Sequence, residues 1–261
     1  MIGTLKDLLP PSEVERHVAL LPDRYVRVTR PQAAAIHLQL IKEIKSDTFA
    51  RRWERHGRES TELTVCTRDR HGLCGDIAGT LAAHGIEILS AELNTREDGI
   101  ALDVFMLREA AMRHAIDVQR YPAIDRALRK AIAGESDIAA LVERWRIRNA
   151  PRKRTIINQG RQRNLPRVTC DNEASELSTL IEVHAVDESG LVYKIASALA
   201  SLGLDIVCAR IATEKSDALD VFYVTDGEGL KLTPVTLESV KLQLAELLSQ
   251  TGSIPIAGSN R

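Results

Sequence analysis

The sequence predicts an α+β protein in which one small sandwich, an antiparallel sheet beneath two helices, occurs twice. Two observations carry this. DRHGLCGDIAGTLAAHGIEILSAELNT at Asp69–Thr95 aligns without a gap to DESGLVYKIASALASLGLDIVCARIAT at Asp187–Thr213. Beyond it the string ALDVF recurs, at Ala101–Phe105 and Ala218–Phe222. A repeat this long is a duplicated domain and not a solenoid.

The elements follow in chain order. Residues 1–60 lie outside the repeat. Pro10, Pro11, Pro22 and Pro31 punctuate two helical patterns, Ser12–Leu20 and Gln32–Lys45, the second with Ile36, Leu40, Ile41 and Ile44 on one stripe. Arg51–Arg58 reads as a charged connector. Each copy then opens on an apolar run suited to a strand, Leu63–Cys66 and Leu180–Val183. Leu73, Ile77, Ala78 and Leu81 fall at helical spacing, as do Leu191, Ile195, Ala196 and Leu199, with Gly85 and Gly203 where those helices stop. Strands over Ile86–Asn94 and Ile100–Leu107 flank an Asp98-Gly99 hairpin signal, and Leu204–Ala212 and Ala218–Val224 match them. Second helices follow at Ala123–Ala133 and Val235–Ser249, the latter started by Thr233-Pro234. With a closing strand the order is the ferredoxin-like βαββαβ sandwich. Arg167–Cys170 is the expected closing strand of copy one, and Ser253–Ile256 that of copy two, where Pro255 confines it to an edge. The expected organisation is a helical segment over 1–60, a first domain over 61–172 including a basic linker at 144–166, and a second domain over 173–261.

Composition narrows the class. Hydrophobic residues at 44% and charged residues at 27% fit a soluble globular chain. No apolar run approaches the roughly 20 residues a bilayer span needs, and Met1–Leu5 followed by Lys6 and Asp7 does not read as a signal peptide. Cys66, Cys74, Cys170 and Cys208 have no framework spacing, so a reducing cytoplasm is expected. Nine Lys or Arg and no acid lie between Arg144 and Cys170, which leaves the remainder acidic, and this stretch reads as a solvated tether. Nucleic-acid binding is not expected, because Phe105 and Phe222 lack the aromatic neighbours of a stacking platform.

The glycine-studded turn after Asp69 invites a phosphate-loop reading, but Gly72, Gly75 and Gly79 match neither dinucleotide nor P-loop spacing. Copy two replaces Gly75 by Tyr193 and Gly79 by Ser197, so only Gly72/Gly190 is shared. That glycine serves either a turn needing positive φ or the close approach of a small ligand to a helix N-terminus. Cys66, His71 and Cys74 have no fourth ligand and no counterpart set in copy two, so no metal is expected. Asp103 and Asp220 recur in equivalent strands and read as capping or interface groups. No serine nucleophile elbow, His-Asp phosphohydrolase pair or nucleotidyltransferase motif is present, so no catalytic residue and no cofactor are assigned.

D-x-x-G-L at Asp69–Leu73 and Asp187–Leu191, with the ALDVF strands, resembles a tandem pair of ACT domains, modules that bind amino acids between paired domains. RVTCDNEAS at Arg167–Ser175, TLIEV at Thr179–Val183 and ALDVFYVTD at Ala218–Asp226 are similar to the C-terminal region of the bifunctional uridylyltransferase/uridylyl-removing family, as is LLPDRYVRVTRPQAAAIHLQLI at Leu20–Ile41. The resemblance covers almost the whole chain and implies a glutamine-sensing regulatory region without catalytic domains, with the PII protein or a catalytic uridylyltransferase region as partner. It implies a ligand near Asp69, His71, Gly72 and Leu73 opposite Ile206, and near Asp187, Ser189, Gly190 and Leu191 opposite Ile88. Proline, usual in that family's loop, is replaced here by His71 and Ser189. Pairing of the two copies within the chain or a homodimer is expected. The alternative is a ligand-independent interaction module that keeps the fold.

Overall fold

The computed structural model describes residues 10–44, 47–149, 166–186, 188, 190–214 and 217–249. Three helices come first: α1 (Pro11–Ala19), α2 (Asp23–Val28) and α3 (Pro31–Glu43). Proline stands in the first turn of α1 and α3, where its missing N–H costs nothing. Copy one runs β1 (Phe49–His56), β2 (Ser60–Arg68), α4 (Leu73–Ala83), β3 (Ile86–Thr95), β4 (Ile100–Glu109), α5 (Tyr121–Ile132) and α6 (Ile138–Asn149). Copy two runs β5 (Arg167–Asp171), β6 (Thr179–Val186), α7 (Leu191–Ser201), β7 (Leu204–Glu214), β8 (Asp217–Asp226) and α8 (Pro234–Ser249).

Both copies contribute to one eight-stranded sheet, ordered β1-β2-β4-β3-β7-β8-β6-β5 with every neighbour antiparallel. The halves meet through β3 and β7 at Ser90↔Arg210, Ala91↔Ala209 and Glu92↔Cys208. Ala91 and Ala209 are equivalent in the repeat, so this ladder straddles a pseudo-two-fold axis. Each half is a ferredoxin-like sandwich with one change of connection. The edge position beside β2, expected to be filled by Arg167–Cys170, is held by β1, and the segment Arg167–Asp171 pairs with β6 of copy two. In both copies the edge strand therefore precedes the sandwich. The reason is reach: a short turn at Gly57–Glu59 returns β1 to β2, and register locks Trp53 opposite Leu63. Trp53 then stacks on Tyr121 of α5, with centroids 4.5 Å apart, and its indole N–H donates to Asp125 at 2.9 Å. Arg51–Arg58, expected as a connector, lies largely within this edge strand. Ser253–Ile256 falls outside the described residues. Arg144–Asn149, expected to begin a tether, is the second half of α6.

The helical layer shows what the extra glycines of copy one do. A Cβ at Gly79 would collide with Ile138 Cγ2 and lie 2.7 Å from the Tyr193 ring, and one at Gly75 would lie 3.3 Å from Ser197 Oγ. Gly75 is equivalent to Tyr193 and Gly79 to Ser197, so the two contacts are related by the pseudo-two-fold. Small residues on α4 make room for the larger ones on α7.

The other face of the first half-sheet is covered by α1–α3, whose Val14, Tyr25, Leu40 and Ile41 pack on Cys66, Ile100 and Leu102. A buried polar chain pins this cover. Tyr25 Oη sits 3.0 Å from His17 Nε2 and 2.7 Å from His37 Nδ1, and Arg96, paired with Asp98 at 2.8 Å, reaches His17 Nδ1 at 3.3 Å. Arg24 of α2 reaches further, donating to the Val207 carbonyl at 2.8 Å, to the Leu93 carbonyl and to Asn94 Oδ1 at 3.1 Å. Leu93 and Val207 are where the β3–β7 ladder stops, and the guanidinium takes over the bridging of the two strands.

Gly79→Ala is expected to destabilise the protein by about 1–3 kcal/mol through overpacking, read from urea melts, with Gly227→Ala, whose added Cβ would meet only the Gly203 carbonyl at 3.9 Å, as the control for added volume. Burial first, then Arg96 and His37, holds His17 down near 3, and burial holds His37 near 4. Their folded values lie below the unfolded one, so their stabilisation is complete above about pH 6.5 and is lost as pH falls toward 3. Tm should therefore drop between pH 7 and pH 4, and His37→Gln should flatten that drop.

Candidate functional site between the two copies

Each copy passes from sheet to helix through a glycine in the left-handed region, Gly72 at φ +77° and Gly190 at φ +87°. L side chains are strained there, which explains the one glycine that both loops share. Among the described residues no side chain caps the start of α4 or α7. The Leu191 N–H closes the turn on the Glu188 carbonyl at 3.0 Å, and Leu73 does the same on Arg70 at 3.1 Å. The next first-turn donors of α7 belong to Val192 and Tyr193, at the positive end of the helix dipole.

These residues line a cavity of about 230 Å³ between the copies. Gly190, Leu191, Val192 and Tyr193 form one wall. Ile86, Glu87 and Ile88 of β3, with Ala78 and Ala82 of α4, form the other. Trp145 of α6 closes one end, and Glu188 and Asp220 supply carboxylates. Drug-sized ligands fill roughly 300–1,000 Å³, so this space suits one small metabolite. A bulge just after Ile88, repeated after Ile206, sets the turn of the strand beside the cavity. Val142 of α6 sits over the loop, and a Cβ at Gly190 would come within 3.1 Å of its Cγ1.

The expected residues divide as follows. Gly190, Leu191 and Ile88 come together around the cavity, with Leu191 also buried in the core. Asp187 and Ser189 fall outside the described residues. In the first loop Asp69 accepts a hydrogen bond from Thr95 Oγ1 at 2.6 Å and its own N–H donates to the Gly99 carbonyl. Asp69 and His71 lie near Asp205, the neighbour of Ile206 on β7; burial and Asp69 push the Asp205 carboxyl up while His71 pulls it down. Gly72 turns the chain there, Leu73 is a core residue, and Ile206 packs on the same core. Cys66 and Cys74 belong to opposite faces of the sheet, and among the described residues no group of three or more His, Cys, Asp or Glu could hold a metal.

The two loops carry the same ion pair with its polarity reversed. Arg70 pairs with Asp76 at 2.5 Å, whereas Glu188, equivalent to Arg70, pairs with Lys194, equivalent to Asp76 and only 5% exposed. Arg70 also donates to the Ala131 and Ile132 carbonyls at the end of α5. The second site is thus the one whose loop presents an acid. Sequence reasoning missed Glu188 and Trp145, and it read Asp220 only as a capping or interface group. For Asp220 the signal was present: in ALDVF the acid shares its face of the strand with alanine and phenylalanine, the buried face. Its equivalent Asp103 is pushed up to about 8, by burial first and then by Asp69, against a backbone hydrogen bond from Asn94 and the charge of Arg24.

The paired sandwiches, joined through a central strand and with a glycine loop facing each junction strand, define a tandem regulatory module of ACT type, and the ACT domain family matches residues 61–133 directly. More particularly, the chain matches the C-terminal region of bifunctional uridylyltransferase/uridylyl-removing enzymes. The Azospirillum brasilense enzyme is 34% identical over 94% of this chain, and that of Gluconobacter oxydans 31% identical over 97%. The chain spans about a quarter of the length of these curated relatives, 26% in each case. Among solved structures, aspartate kinase from Synechocystis aligns with a TM-score of 0.41 and 15% identity, over 74% of this chain and 27% of that one. No helix among the described residues is long and apolar enough to cross a membrane.

Asp103 has a folded value raised above the unfolded one, so its contribution to stability is complete below about pH 4 and is lost as pH rises toward 8. Asp103→Asn should remove that slope, and its advantage over the parent in urea melts should be larger at pH 8 than at pH 5.

Proposed function

We propose that this chain is an amino-acid-responsive regulatory region of a uridylyltransferase/uridylyl-removing protein, with glutamine as its ligand and the PII protein's modification state as its output. The cavity between the Gly190 turn and Ile88 carries this reading. A zwitterion fits its chemistry. The ligand carboxylate would take the Val192 and Tyr193 N–H groups at the start of α7, where a helix N-terminus favours negative charge. The ammonium would face Glu188 and Asp220, and the side chain would run along Ile88 toward Trp145.

Such a ligand touches α7 of one copy and β3 of the other, so its binding energy depends on how the copies meet. A ligand shifts an equilibrium only by its differential affinity for the two states, and couplings of this kind are worth about 1–3 kcal/mol. Arg24 holds the same junction from α2. The N-terminal helices are thus the route by which the junction would act on whatever precedes them. That relatives bearing both uridylyl activities in their name are about four times as long supports this regulatory assignment.

Glutamine at about 100 times its Kd should stabilise the chain by about 2.7 kcal/mol, a Tm rise of roughly 5–10 °C at this size, with a change in Trp145 fluorescence. Gly190→Val should abolish both responses by strain and by collision with Val142. Gly72→Ala, strained by its positive φ but with no neighbour within 4 Å of the added Cβ, should lower stability yet keep the Trp145 response. Absence of heat or shift with every proteinogenic amino acid at millimolar concentration would sink the proposal.

A further inference from the structure

The turn after β4 holds a backbone anomaly. Arg113 adopts φ +53°, and no other non-glycine among the described residues has a positive φ. A long side chain in that left-handed region is uncommon. Copy two closes a similar turn after β8, but with glycine. The Glu109 N–H donates to the His114 carbonyl at 2.8 Å, and the Asp226 N–H to the Leu230 carbonyl at 2.9 Å. The residue just before the closing carbonyl is Arg113 in copy one and Gly229, at φ +79°, in copy two. Glycine suits the turn without strain, so the arginine serves something other than the turn.

Its surroundings show what. Arg113 and Ala110 both line the cavity between the copies. The Ala110 N–H donates to the Gly85 carbonyl at 3.0 Å, and a Cβ at Gly85 would lie 3.3 Å from Trp145 Cζ2. The turn and Trp145 therefore meet at the same end of the cavity. Arg108 and Arg120, on either side in sequence, are engaged with Glu87 and Glu109. Arg113 is exposed, and among the described residues its guanidinium has no acidic partner. The nearby acids are already committed: Glu87 accepts from Arg108 at 2.6 and 2.8 Å, and Glu188 pairs with Lys194.

We propose that Arg113 is the specificity-determining residue of this cavity and selects amino acids whose side chain ends in an amide. The inference rests on the amino-acid reading above. A guanidinium offers donors and no acceptor, so the ligand's tip must accept. A hydrocarbon tip leaves it unmatched, and an ammonium tip is repelled. A carboxylate tip would bring another negative charge into a cavity already lined by Glu87, Glu188 and Asp220. The neutral amide carbonyl meets the arginine without that cost.

Calorimetric titration of the chain with L-glutamine, L-glutamate and L-norvaline, in which a methyl replaces the carboxamide, tests this. Glutamine should bind tightest, at least about tenfold ahead of norvaline, since a site built around a hydrogen bond rejects the analogue lacking it. Arg113→Gly installs the residue copy two uses, and Arg113→Asn keeps a side chain that tolerates left-handed backbone. Both variants should bind glutamine no better than the parent binds norvaline. A purely structural role for Arg113 would leave the glutamine-to-norvaline ratio unchanged. Melting curves check folding, and if one variant does not fold the other decides. A parent that prefers glutamate or norvaline, or folded variants that keep the glutamine preference, would overturn this inference and leave the amino-acid site standing. Binding of none of the three by the parent would overturn the glutamine assignment as well, so the two failures are distinct.

Discussion

Three residue pairs between β3 and β7 decide how everything else is arranged. An isolated four-stranded sandwich of this kind would leave β3 as an edge, with unpaired backbone groups that invite association. Joining the two edges removes that liability for both copies. It also sets the Gly190 turn opposite Ile88 and the Gly72 turn opposite the strand of Ile206. The site is therefore a property of the junction and not of either sandwich alone. The alanines on the axis matter for this reason, since Ala91 and Ala209 are both buried and face the helices where α4 and α7 cross.

The junction is held from both faces of the sheet. On the helical face, Gly75 and Gly79 let α7 approach α4, and the close fit of Tyr193 ties the start of α7 to that contact. Tyr193 is also a wall of the cavity. Packing of the helices and shape of the site are thus linked through one side chain. On the other face, Arg24 bridges carbonyls of both copies. Buried backbone carbonyls need a donor, and a guanidinium carried by α2 supplies it just where the ladder ends. The N-terminal helices are thereby tied to both β3 and β7, and the His17–Tyr25–His37 chain, through Arg96, fixes those helices to the β3–β4 hairpin.

Much of this was legible in the sequence, because a duplicated sequence tests each assignment twice. The strands, the two principal helices of each copy and the shared glycine all followed from residues that recur in both halves. Elements that differ between halves were harder to read. β1 is an edge strand whose outward positions carry Arg52, Glu54 and Arg55, so its apolar period is reduced to Phe49 and Trp53. α6 begins on an apolar run and ends among arginines, and the charge obscured the helix. The closing strand was sought after each sandwich, as ferredoxin-like order suggests, yet antiparallel pairing beside β2 is satisfied equally by a strand that comes first. Asp220 was visible and was read as a capping or interface group, although a charge on the buried face of a strand costs too much to be incidental.

The central claim is that the junction between the copies is where an amino acid binds. A crystal structure of the chain grown with saturating glutamine addresses it most directly. The account predicts one glutamine between the Gly190 turn and Ile88, its carboxylate on the Val192 and Tyr193 N–H groups and its ammonium toward Glu188 and Asp220. Glutamine bound within a single sandwich, away from the β3–β7 junction, would contradict it.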